Sequence, residues 1–105
     1  MEANAWASIE KIRHWLDDDG NTASERDRLL LRVLKIGEEY GEVSEAVHGV
    51  LGANPRKGAS HTWEDVQKEL CDVVVTTMVA LATVTPDAQK TLDDRLRHLV
   101  ERVGL

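Results

Sequence analysis

Apolar residues recur along most of this chain at intervals of three and four, the period of helices buried on one side. Trp6, Ile9, Ile12 and Leu16 keep that spacing and predict a first helix over about Asn4–Leu16. Asp17, Asp18, Asp19 and Gly20 end it, since acidic side chains at a helix C-terminus oppose the dipole and fray it into a loop. A second helix opens at Thr22 or Ser24, each followed by acidic residues as in a capping box, and runs to about Leu51. With successive residues about 100° apart, Leu29, Val33, Ile36, Tyr40, Val43, Val47 and Leu51 share one stripe. Glu38, Glu42 and Glu45 fall opposite, and Glu39 sits at the stripe's edge.

The Gly, Asn and Pro content of Gly52–His61 marks a loop. Thr62 then caps a third helix, with Asp65 closing the box, and the helix continues to about Val84. From Val73 onward it is uncharged on every face, the pattern of the most buried helix of a bundle. Thr85-Pro86-Asp87 stops the chain and restarts it, with Pro86 expected in the first turn of a fourth helix. That helix turns Leu92, Leu96, Leu99 and Val103 inward and its Lys and Arg outward. Trp6 and Trp15 are expected to fill the core. No strand pattern and no internal repeat is present, so the expected fold is an all-α, four-helix bundle forming a single domain over 1–105.

Composition narrows the functional classes. A hydrophobic share of 42% with only two prolines excludes global disorder and is enough for one globular core. The uncharged run from Val73 to Pro86 is too short to span a bilayer, and the N-terminus lacks the basic segment and apolar run of a signal peptide. The single cysteine, Cys71, excludes an intramolecular disulfide, agrees with a reducing cytoplasm and is expected as a small core residue. A net charge of −6 repels nucleic-acid backbones, and the only basic patch is Arg56-Lys57 in the loop. Neither a nucleic-acid polymer nor a membrane is an expected partner. A small anionic substrate bridged by a cation fits this charge, because the cation inverts the local electrostatics.

The candidate chemistry lies in two acidic clusters. The first, E-E-x-x-E, is Glu38, Glu39 and Glu42; the second, E-x-x-D, is Glu69 and Asp72, with 26 residues between them. Residues three and four apart on a helix share a surface, so each cluster can present convergent carboxylates. An acidic run on a helix is ordinarily its solvated face. Two features oppose that reading: Leu31 and Leu34 lie on the acidic side of the second helix, and Lys35 is the only basic residue between Arg32 and His48. Glu69 and Asp72 also open the most apolar helix, so at least one should be partly buried, which is costly for an unpaired carboxylate. A cation resolves both. Oxygen ligands favour Mg²⁺, with Mn²⁺ as a substitute, over zinc. The competing pattern, Glu45-Ala-Val-His48, is the E-x-x-H that di-iron bundles use twice, but it occurs here once.

With both clusters in place, Lys35–Leu81 resembles the MazG-like all-α nucleoside triphosphate pyrophosphohydrolases. Their signature is E-E-x-x-E on one helix and E-x-x-D on the next across a variable loop, matched here by G-E-E-Y-G-E-V-S-E-A and K-E-L-C-D-V-V-V-T-T-M-V-A-L-A. The resemblance implies an all-α bundle completed by oligomerisation, as a homodimer or homotetramer. It implies Mg²⁺-dependent hydrolysis of a (d)NTP between the α- and β-phosphates to (d)NMP and pyrophosphate. By position it makes Glu39, Glu42, Glu69 and Asp72 metal ligands and Glu38 the catalytic carboxylate that orients water or helps hold another metal. Relatives carry a basic residue and an asparagine soon after the E-x-x-D helix, whereas here Lys90 is the first cation downstream. The phosphate-contacting role then passes to the loop, through Arg56, Lys57 and His61, unless Arg56 and Lys57 form a solvated loop tip and His61, like His48, is a structural or surface residue; Lys35 is a further candidate for substrate binding. Trp63 and Tyr40 are candidate stacking residues for the base, and a helix-start role accounts for Trp63 equally well. A non-catalytic oligomeric module that binds nucleotide or metal is the competing class.

Overall fold

A computed structural model describes residues 3–18 and 23–105. Those residues form four helices and no strand: α1 (Ala3–Asp17), α2 (Glu25–Leu51), α3 (Trp63–Val84) and α4 (Ala88–Arg102). The fold class is therefore all-α, with element limits within about two residues of those expected. Asp19, Gly20 and Thr22, expected at the α1–α2 junction, lie outside the described residues. Among the described residues, no single helix is long and apolar enough to cross a membrane.

Local chemistry explains where the helices begin and stop. Ser24 is the α2 cap, its hydroxyl accepting the Asp27 N–H at 3.1 Å. Gly52 ends α2 in the left-handed region (φ 64°), which lets the Ala53 N–H reach back to the His48 carbonyl at 3.0 Å. The box at the start of α3 is reciprocal: the Thr62 N–H donates to Asp65 Oδ2 at 2.8 Å, and the Asp65 N–H donates to Thr62 Oγ1 at 3.3 Å. Pro86 falls one residue before the α4 cap, Asp87, rather than in the first helical turn. The Asp87 N–H donates to Thr85 Oγ1 at 3.2 Å, so the restart belongs to a Thr-centred turn.

The described residues fall into two compact units, 3–18 with 78–105, and 23–77. The first holds a core of Trp6, Ile9, Met78, Val79, Ala82 and Ala88, with Leu16, Leu81 and Leu92 packed against it. Trp15 does not join it: the side chain is 70% exposed, because it lies off the face that Trp6 and Ile9 share. In the second unit the buried residues are small, namely Ala46, Gly49 and Val66. The predicted α2 stripe is only partly covered, since Val33, Tyr40 and Leu51 are exposed while Leu29, Ile36, Val43 and Val47 are half-buried. The apolar part of α3 is not buried on every face either, for Val74, Val75 and Val84 are exposed. Cys71 is exposed as well, which corrects its expected place in a core.

Candidate metal centre

The site is built within residues 23–77, from the middle of α2 and the first half of α3. Glu69 and Asp72 are one turn apart on α3, and Glu39 approaches them from α2. One carboxylate oxygen from each of the three lies within 4.8 Å of the others. Each pair of charges at that separation costs about 1 kcal/mol even at the dielectric constant of water. The Glu69 side chain is only 19% exposed, and its Oε2 is buried and accepts no hydrogen bond. A buried carboxylate oxygen without a donor is expensive unless a cation meets it. The donor set is all oxygen, from three partly buried carboxylates, which suits a hard divalent ion.

The other acidic residues divide. Glu42, one turn beyond Glu39, is exposed, yet its carboxyl is pushed up from the ordinary value. The main cause is its contact with the Glu69 carboxylate, followed by the charge of Glu39. It thus borders the triad. Glu38 is 71% exposed and pairs with Lys35 at 3.2 Å, on the outer side of α2. Glu45 and His48 are not members of the three-carboxylate group. The His48 ring is committed through Nδ1 to the Ser44 carbonyl at 2.7 Å.

Two ammonium groups flank the triad. Lys35 reaches Glu39 at 3.7 Å besides its bond to Glu38. Lys68 lies 3.6 Å from Glu69 and 3.5 Å from Asp72. Both lysines are held above the ordinary value, Lys35 chiefly by its hydrogen bond to Glu38 and Lys68 chiefly by the charge of Glu69. Lys68 is the charged group that sequence reasoning missed. Its signal was the i,i+4 spacing to Asp72, which marks a shared helix face.

The loop residues sit elsewhere in the same unit. Arg56 and Lys57 are exposed, and the Arg56 N–H is tied to Asn54 Oδ1 at 2.9 Å. Lys57 lines a small pocket of about 90 Å³ together with Glu45, His48, Ser60 and His61. The wall of that pocket is set by Gly49, where a Cβ would overlap Nδ1 of the His61 ring. Trp63 and Tyr40 are both exposed, at 59% and 66%. Compared with protein-family models, curated proteins and solved structures, the chain matches none.

Proposed function

We propose that this chain is a Mg²⁺-dependent nucleotide pyrophosphohydrolase of the MazG-like all-α type. It hydrolyses a (d)NTP or modified nucleotide to (d)NMP and pyrophosphate, in housecleaning of the cytoplasmic nucleotide pool. The observation that carries this reading is the convergence of Glu39, Glu69 and Asp72 around a buried Glu69 oxygen that accepts no hydrogen bond. Glu39, Glu69 and Asp72, bordered by Glu42, hold the cation, Mg²⁺ or in its place Mn²⁺. Bound there, it supplies Lewis acidity toward phosphoryl oxygens and lowers the pKa of a water. Glu38 would serve as the proton acceptor for the attacking water, and Lys35, Arg56, Lys57 and Trp63 would engage the nucleotide. Assembly as a homodimer or homotetramer covers the exposed Leu31 and Leu34 of α2.

One observation favours the competing, non-catalytic metal- or nucleotide-binding module: Glu38 is exposed and already paired with Lys35. Pyrophosphate release from a panel of canonical and modified (d)NTPs with Mg²⁺ separates the two. The enzymatic reading expects turnover of at least one nucleotide and near-complete loss on Asp72→Asn or Glu39→Gln. Metal binding by the wild type without turnover of any nucleotide would leave only the binding module.

A further inference from the structure

Resting on the metal-site reading above, we propose that Lys68 is a displaceable internal counter-ion. In the ion-free protein it neutralises Glu69 and Asp72; on cation uptake it yields those carboxylates and turns to the phosphates of the nucleotide. Lys68 is the ammonium shared by both α3 carboxylates of the triad, at 3.6 and 3.5 Å. Lys35, by contrast, touches one triad member and makes its shorter contact with Glu38, outside it.

The Lys68 contacts are longer than the ~2.7–2.9 Å of a charge-assisted hydrogen bond, so no tight geometry holds the ammonium in place. The side chain is 70% exposed, and exposed pairs of this kind are weak enough to exchange readily. Lys68 meets Glu69 through Oε1 and Asp72 through Oδ2, beside the unpartnered Glu69 Oε2, and an ammonium and a divalent cation drawn to the same two carboxylates repel each other strongly. Displacement is therefore the expected response to cation uptake. The released ammonium stays tethered by a flexible four-carbon stem beside the ligands, where phosphate oxygens bound to the same cation arrive. No other Lys or Arg follows on α3, and the next cation in the chain is Lys90.

Two opposite effects are expected from one substitution. Mn²⁺ binding by wild type, Lys68→Met, Lys68→Arg and Lys90→Met is measured by calorimetry without any phosphate compound. Binding of inorganic tripolyphosphate is then measured in saturating Mg²⁺. Lys68→Met binds Mn²⁺ roughly three- to tenfold tighter, because no ammonium has to leave, and binds tripolyphosphate several-fold weaker. Lys68→Arg and Lys90→Met stay near wild type in both. Unchanged or weaker Mn²⁺ binding by Lys68→Met overturns the counter-ion role, and unchanged tripolyphosphate binding overturns the phosphate role. Failure of the wild type to bind Mn²⁺ overturns the metal-site reading itself, and this inference with it.

Discussion

Residues 3–18 and 78–105 bury Trp6, Ile9, Met78 and Val79 against one another, whereas residues 23–77 bury only Ala46, Gly49 and Val66 and leave Leu31, Leu34, Tyr40 and Leu70 in solvent. The acidic triad belongs to the second of these units. Apolar burial is the main favourable term in folding, and like-charge crowding opposes it. The chain therefore concentrates its packing in one unit and its electrostatic strain in the other. Chemistry gathers where the protein has least apolar burial to offset it, and anything that neutralises the triad should stabilise that unit.

The largest test of this contrast is a pair of truncations followed by urea unfolding. Trp6→Ala should cost about 3–5 kcal/mol, as expected for a buried aromatic. Leu51→Ala, at an exposed position of α2, should stay within about 0.5 kcal/mol. A comparable loss at Leu51 would break the contrast and show that this end of α2 is covered in solution.

Next in size is the response to cations. Thermal melts with and without Mn²⁺ should show stabilisation of the wild type by about 2.7 kcal/mol at a hundredfold excess over Kd. Glu69→Gln should remove that protection while raising the stability of the ion-free protein, because it relieves crowding among the carboxylates. A variant that loses ion-free stability would mean that the Glu69 charge supports the fold.

Two glycines on α2 sharpen the picture within the second unit. Gly41→Ala meets nothing within 4 Å and should gain about 0.8–1 kcal/mol of helix propensity. Gly49→Ala should lose about 1–3 kcal/mol, since its Cβ would overlap the His61 ring and approach Ser60 Oγ. Chemical denaturation of both variants checks the sign.

The smallest effect is a pH dependence at the start of α3. The Asp65 carboxyl is held below its ordinary value, chiefly by the Thr62 backbone N–H. With the folded pKa below the unfolded one, this stabilisation is full above the ordinary carboxylate range and fades as pH falls through the lowered value. Asp65→Asn should flatten that acid limb in melts recorded between pH 6 and pH 3, taken as roughly the carboxylate range.

Helix limits were legible because capping chemistry is local. Ser24, the Thr62–Asp65 box and Gly52 each act within a few residues of the chain. Pro86 was displaced by one residue because a proline before a cap and one after it look alike until the Thr85–Asp87 bond is seen. Coverage was less legible than periodicity. The stripe through Val33, Tyr40 and Leu51 has the right spacing, but spacing does not say which neighbour lies over it. Trp15 and Cys71 went astray for the same reason. At the acidic clusters, sequence showed which residues share a helix face, whereas the approach of Glu39 to Glu69 and Asp72 depends on how α2 and α3 pack. Lys68 was passed over because a cation beside an acid reads as surface patterning until it is seen to span two members of the triad.

The single exposed thiol gives the chain one chemical address. Cys71 is the only cysteine and adjoins Asp72 in sequence, so a nitroxide or fluorophore attached there reports from α3 without removing other cysteines first. Paramagnetic broadening of a nitroxide at that position on titration with Mn²⁺ would report ion uptake directly at α3, independent of any turnover assay.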